Sequence, residues 1–300
     1  MSKNNYILGG GVAGLIAAFY NPDYQFIDLN PLGQLNAPFI PGPRIIKDDK
    51  NSRSFLDKLN IKYAGTTAEV GYVNKQNIAV HLTDEFKKNY SIITRGTDIV
   101  EKSFLSSGES SIKIISDGSD DFYNTVFKKL YELVKDRHIA SKVTEISLKN
   151  KVIKLEDGTL LSYDKCISTL NLNIFCSLVG ISKYISPEIK TKNFVCCKYS
   201  QQVDIELSKK FDYVYSISGL YSRKTYFDNY IVYETILPLH DDKVLEGNEI
   251  IKTANNVPIQ IVNSIDIQNI GGVEMLGRFA QWKHSIKSNE IIDKYESTEL

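Results

Sequence analysis

The residues of this 300-residue chain whose spacing could do chemistry come first: Gly9-x-Gly11-x-x-Gly14, with Asp28 nineteen positions after Gly9. Glycine at the first position allows a tight turn, at the second lets backbone approach a pyrophosphate, and at the third lets a helix pack closely on a strand. The amides of a helix start, with the positive end of its dipole, favour an anion at that point. An acid at the position of Asp28 accepts the hydroxyls of an adenosine ribose, which argues against a 2′-phosphate and so against NADP.

These residues need a strand, a helix and a second strand to hold them. The apolar run Tyr6–Leu8 reads as the first strand, and Val12–Phe19 as an alanine-rich helix stopped by Asn21-Pro22-Asp23. Gln25–Leu29 reads as the second strand, completing a βαβ dinucleotide unit. The Pro- and Gly-rich span from Pro31 to Ile46 is an extended loop leaving the acid-bearing strand, so Gly33, Gln34 and Arg44 fall beside the bound dinucleotide.

Further along, apolar periodicity predicts helices over Ser52–Leu59, Asp84–Tyr90 and Phe122–Val134, the last opened by Asp117-Gly118-Ser119-Asp120-Asp121. Strand patterns cover parts of 62–81, including Ile78–Leu82, and then Lys142–Ser147, Lys151–Glu156 and Cys166–Leu170. From Phe194 to Leu237 the chain reads mostly as Tyr-rich strands, in which most tyrosines pack a half-buried sheet. A terminal helix spans Ser288–Tyr295.

Composition bounds the classes of function and leaves a local charged patch open. Apolar content of 42% and charged content of 24% suit a soluble globular protein. The 36 basic residues balance the 36 acidic ones, so no global field draws the chain to nucleic acid or to an anionic membrane. Only six of the basic residues are Arg, a bias toward Lys that makes each guanidinium worth locating. The four cysteines, Cys166, Cys176, Cys196 and Cys197, form no C-x-x-C pair and fit a reducing, cytoplasmic compartment, or a host cytoplasm if the chain is viral. His81, His138, His240 and His284 show no metal-ligand spacing, and no apolar run is long enough to predict a membrane span. The apolar start carries the glycine fingerprint and does not read as a signal peptide.

Taken in order, these blocks resemble the FAD-binding oxidoreductases grouped around amine oxidases, protoporphyrinogen oxidase and UDP-galactopyranose mutase. The fingerprint with Asp28 is similar to that family's start. Gly33-Gln34 resembles its second glycine-rich signature, where relatives more often have two adjacent glycines. Gly42-Pro43-Arg44-Ile45 resembles a mutase-like segment near the isoalloxazine, and 143–170 resembles the returning hairpin. Leu276-Gly277-Arg278-Phe279-Ala-Gln-Trp282 resembles the closing block, where a helix N-terminus meets the flavin.

The resemblance implies an α/β fold: a Rossmann-like FAD-binding domain of the GR2 type, interleaved with an antiparallel-sheet substrate domain. The FAD domain is expected over 1–60, 112–175 and 268–300, and the substrate domain over 61–111 and 176–267. It implies non-covalent FAD on Gly9, Gly11, Val12, Ala13, Gly14, Asp28, Leu29, Gly33, Gln34, Gly42, Pro43, Arg44, Val143, Gly277, Arg278, Phe279 and Trp282. The position matching Val143 meets adenine through its backbone in relatives. No cysteine follows Cys197, so a C-terminal thioether to flavin cannot form in that way.

The activity implied is hydride transfer from a C–N or C–C bond of a small or nucleotide-linked substrate to flavin N5. Tyr215, Arg223, Tyr226 and Glu234 are candidates for the substrate side by their place in the Tyr-rich segment. No residue identifies itself as a catalytic base. Three other readings stay open: mutase-like flavin chemistry without net redox, viral tailoring of an amine on a modified nucleotide, and a flavin-free partner-binding protein as in Rab escort and GDP-dissociation-inhibitor proteins. The intact fingerprint argues against the last.

Overall fold

Ile7 faces one way from the first strand and Tyr6 and Leu8 the other, and all three are buried, so this strand must lie inside a sheet covered on both sides. A computed structural model describes residues 4–32, 45–94, 110–181, 189–235, 249–261, 265–283 and 286–298. In it β1 (Asn5–Leu8) lies between β2 (Tyr24–Ile27) and β10 (Lys165–Ser168), parallel to both. Beyond β2 comes β6 (His138–Ile139), and beyond β10 come β17 (Val273–Met275) and the antiparallel β16 (Asn269–Ile270). The chain leaves β1 toward β2 and returns much later to β10 on the other side. A topological switch therefore sits at the carboxyl end of β1.

One face of this sheet is covered by α1 (Val12–Tyr20) and α4 (Phe122–Val134), with α2 (Lys50–Lys58) and α8 (Ser288–Glu296) beside them. Val126, Phe127 and Leu130 of α4 are fully buried there. Each such side chain contributes roughly 1.5–3 kcal/mol by leaving water. The other face is covered by the hairpin sheet β7 (Val143–Ser147), β8 (Val152–Leu155) and β9 (Leu160–Ser162), by α5 (Leu172–Leu178) and by the one-turn α7 (Arg278–Gln281).

The second sheet has eight strands in the order β15-β11-β14-β13-β12-β4-β5-β3. They are β3 (Ile46–Lys47), β4 (Ala64–Val73), β5 (Ser111–Ser116), β11 (Ile189–Cys197), β12 (Tyr213–Ser216), β13 (Tyr221–Tyr226), β14 (Ile231–Thr235) and β15 (Ile250–Ile261). All neighbours pair antiparallel except β4 with β12. α3 (Asp84–Ile93) packs on one face through Phe86 and Tyr90, and α6 (Gln202–Ser208) on the other through Leu207. β3 and β5 reach toward the parallel sheet, and their Ile46 and Ile115 join its core. The fold is thus α/β, with a parallel Rossmann-like sheet and a largely antiparallel one built from interleaved stretches of chain.

Three local expectations change. The strand expected over Ile78–Leu82 is a single bridge from Val73 to Ala79, because Asn74 turns the chain by accepting the amides of Gln76 and Ile78, and Ile78 stays exposed. Helices α5 and α6 occupy stretches not read as helical. Both have only seven residues, too short for propensity to announce without their packing. α7 ends after Gln281 because Trp282 turns left-handed at φ 55°.

Candidate functional site

Four of the five parallel strands, β2, β1, β10 and β17, end together, and the sequence places a special residue after each. Gly9 leaves β1 at φ +102°, donates its amide to the Ile27 carbonyl at 2.9 Å, and starts the turn into α1. A Cβ on Gly14 would lie 1.9 Å from the Gly9 carbonyl oxygen, so only glycine allows the helix this close to the strand. A Cβ on Gly11 would meet nothing within 4 Å. That is the room a pyrophosphate needs at a helix start. Helix α1 has no side-chain cap and no acid in its first turn. The amides of Val12, Ala13 and Gly14 therefore have neither carbonyl nor carboxylate from their own helix start to answer them. The cradle fits the dinucleotide part of FAD.

Asp28 follows β2, and its carboxylate spans the cleft at the base of the turn. One oxygen accepts the Gly10 amide at 2.6 Å and the other the Asn30 amide at 2.7 Å. The acid thus joins the glycine loop to the turn after β2, and Leu32 returns an amide to the Gly10 carbonyl at 2.8 Å. Leu29 beside it is half exposed. The imidazole of His138 stacks on Phe26 with centroids 4.7 Å apart and donates Nε2–H to the Asp28 carbonyl at 2.7 Å. Arg137 closes the far end of α1 by donating to the carbonyls of Ala18, Asn21 and Tyr24 at 2.8–2.9 Å. Sequence reasoning missed both roles; the scarcity of arginine was the one available signal.

The closing block meets the fingerprint directly. Leu276 extends β17 through its amide to the Ser168 carbonyl, and Gly277 follows at φ +95°. A Cβ on Gly277 would stand 2.9 Å from that of Ala13, so Gly277 lies flush against the first turn of α1. Arg278, half-buried, donates Nε to the Ile286 carbonyl at 3.1 Å, just before Lys287 at the start of α8. Lys287 is held below the usual lysine range by desolvation, and Lys47 and Arg278 push it further down against the pull of Glu290. Lys47 of β3, Arg278 of α7 and Lys287 at the cap of α8 are therefore in electrostatic reach of one another, and Arg278 follows the glycine that meets α1.

The helix expected at Gly277 is a single turn, and its Gly277 amide goes to the Gln281 side-chain oxygen at 3.1 Å. Any positive field here comes mainly from side chains. Phe279 packs half-buried against the second-face core, and Trp282 is fully buried within it, a packing residue with no surface left for a ligand. Val143 is half-buried in the hairpin sheet. Gly33, Gln34, Gly42, Pro43 and Arg44 lie outside the described residues.

In the larger sheet, register separates the four substrate-side candidates. Tyr215 opposes Arg223, and Arg223 opposes Glu234, so these three share one face. Tyr226 falls on the other face, under α6 with Leu207 and Tyr233. Glu234 is 3% exposed and accepts from Lys192 at 2.5 Å, Arg223 at 2.5 Å and Ser222 at 3.0 Å. Tyr215 is buried against Tyr72 and Tyr90, and burial, with Tyr215 beside it, pushes the Tyr72 phenol up to about 12.

The face of Tyr226 holds a second charged group that the sequence did not announce. Asp204 accepts from Lys224 at 2.6 Å and from the hydroxyls of Tyr233 at 2.9 Å and Tyr226 at 3.3 Å, while the Lys224 ammonium lies over the rings of Tyr221 and Tyr233. Burial, with Asp204 adjacent, raises both phenols far above their ordinary range. Burial also lifts the thiols of Cys166 and Cys197 to about 12, so neither is a nucleophile near neutral pH.

No protein-family model matches the chain, and no curated protein matches it in sequence. Solved structures match it over nearly its whole length. Reduced UDP-galactopyranose mutase superposes with a TM-score of 0.68 at 10% identity, covering 99% of this chain and 94% of that one. A CLA-producing fatty acid isomerase from P. acnes gives 0.66 at 11% identity, over 99% and 97%. Cyclohexylamine oxidase from Brevibacterium oxydans IH-35A gives 0.64 at 9% identity, over 99% and 98%. The chain has the fold of the FAD-binding oxidoreductases that group amine oxidases with UDP-galactopyranose mutase. Among the described residues no helix is long and apolar enough to cross a membrane.

Proposed function

We propose that this protein is an FAD-dependent oxidoreductase of the amine-oxidase type, acting on a C–N or C–C bond of a small or nucleotide-linked substrate. The observation that carries the reading is the meeting of Gly277 with Ala13 at the mouth of the glycine turn, which gathers Gly9, Gly11, Gly14, Asp28 and Arg278 at one end of the parallel sheet. FAD, held without a covalent bond, supplies the hydride acceptor. The first-turn amides of α1 bind its pyrophosphate, Asp28 binds its ribose, and the backbone at Val143 meets its adenine. Arg278, with Lys47 and Lys287 near it, favours negative charge at the flavin end.

The substrate side in this reading is the sheet face of Tyr215, Arg223 and Glu234, joined by Lys192. Glu234 receives two cations and a hydroxyl, so it orients Lys192 and Arg223. Tyr226 leaves the set because the sheet lies between it and the other three. Residues 1–60, 112–175 and 268–300 form the cofactor part of this proposal and 61–111 and 176–267 the substrate part, with β3 and β5 as the seam.

Purified protein should carry an oxidised-flavin absorption spectrum, or gain one with added FAD, and denaturation should release all the colour. A protein that stays colourless after reconstitution would sink the reading and favour a partner-binding role. Anaerobic mixing with amines and nucleotide sugars then separates bleaching, expected for an oxidoreductase, from isomerised product without net electron transfer, expected for mutase-like chemistry.

A further inference from the structure

We propose that Thr169 is a positioning residue that sets the glycine turn for the dinucleotide, an inference that rests on the FAD reading above. Thr169 follows β10 at the switch point and is 160 residues from Gly9 in sequence. Its amide donates to the Leu8 carbonyl at 2.8 Å, and its hydroxyl donates to the same oxygen at 2.9 Å and toward the Gly9 carbonyl at 3.3 Å. The hydroxyl oxygen also fills the space beside Gly9: a Cβ there would lie 2.5 Å from it, and one on Gly14 3.2 Å from it. One side chain thus holds the last two carbonyls before the turn and takes the space that glycine leaves.

The consequence is directional. With the Leu8 and Gly9 carbonyls held toward β10, the amides of the same two peptides point the other way, to the Ile27 carbonyl and the Asp28 carboxylate. Asp28 holds the opposite side through Gly10 at 2.6 Å. The turn is latched from both neighbouring strands, so little ordering remains to oppose binding. The methyl group of Thr169 adds packing, but the orientation depends on its hydroxyl. Thr169→Val keeps the shape and removes the donor, whereas Thr169→Ser keeps the donor.

The experiment is a fluorescence titration of apoprotein with FAD, repeated with ADP, alongside urea unfolding of each apoprotein. Thr169→Val should weaken FAD about tenfold, the worth of a hydrogen bond near 1.4 kcal/mol, and weaken ADP by a similar factor. Thr169→Ser should stay within about twofold of wild type by the same scale. If the valine variant does not fold, the ratio of Thr169→Ala to Thr169→Ser affinities isolates the hydroxyl and should again be about tenfold. Equal affinities with and without the hydroxyl overturn the proposal. So does a loss in Thr169→Ser that tracks its loss of apoprotein stability, since that marks packing alone. A wild type that binds neither FAD nor ADP overturns the cofactor reading itself, and this proposal with it.

Discussion

At the scale of single residues, Asp28 has two jobs in the proposed FAD reading that one substitution can separate. Its oxygens already accept the Gly10 and Asn30 amides, so Asp28→Ala loses the latch on the turn together with the proposed ribose acceptor. FAD affinity should fall by roughly 1.5–3 kcal/mol, the range for a bond to a charged group, when measured by titration of apoprotein. Asp28→Asn keeps one oxygen to accept an amide and should retain part of that affinity. An alanine variant that binds FAD as well as wild type would remove Asp28 from the site. Arg278 makes the second residue-scale prediction. Its charge acts together with those of Lys47 and Lys287, while the Gly277 amide is already taken by Gln281. Arg278→Ala should lower the two-electron flavin potential by roughly 20–40 mV, about 1–2 kcal/mol for a partly screened charge. It should slow reduction more than it weakens FAD. Potentiometric titration checks this, and an unchanged potential would leave Arg278 as a structural residue.

At the scale of elements, the closing block is held in place by the terminal helix. Helix α8 sits against α1 and α2, with Ile291 reaching toward Gly277 and Glu296 anchoring the last turn. Glu296 accepts from Ser54 at 2.7 Å, from Lys58 at 3.1 Å and from the Tyr20 hydroxyl. Burial works against its ionisation, yet the bonds from Ser54, Tyr20 and Lys58 outweigh that and hold the carboxyl below its ordinary range. The unfolded chain therefore binds this proton first as pH falls. The stabilisation is complete above the unfolded value, about 4.3, and disappears as pH drops through the lower folded one. Glu296→Gln should cost roughly 1.5–3 kcal/mol at pH 7. Urea unfolding should show the gap between the two proteins closing as pH falls below about 4. A gap independent of pH would mean that the charge contributes nothing.

At the scale of the whole molecule, the large sheet buries charge on both faces, and the two clusters call for different tests. Asp204 and Lys224 are each about 1% exposed. Removing one partner strands the other in a dry core, so Asp204→Ala should cost about 3–5 kcal/mol. Removing both, as Asp204→Leu with Lys224→Met, should recover much of that loss in urea unfolding. A double variant as unstable as the single one would show that the tyrosine hydroxyls, and not the stranded charge, dominate. Neither variant should alter substrate preference specifically, because this cluster lies across the sheet from the proposed substrate side at Tyr215, Arg223 and Glu234.

The sequence alone determined what short-range pattern can encode. The β1–α1–β2 unit spans under thirty residues, and glycine spacing, apolar runs and one acid suffice to place it because the pattern that announces it is local. The long helix α4 and the terminal helix α8 were legible for the same reason, since their apolar stripes repeat over several turns. Tertiary structure alone decided the rest. Gly277 meets Ala13, and Thr169 meets Gly9, across separations that no local pattern records. The sheet register placed Tyr226 behind the sheet and Glu234 between two cations, because one residue of offset moves a side chain to the other face. The seven-residue helices α5 and α6 and the single turn α7 exist through what they pack against. Their own residues are too few to nucleate a helix, so only the assembled core could reveal them.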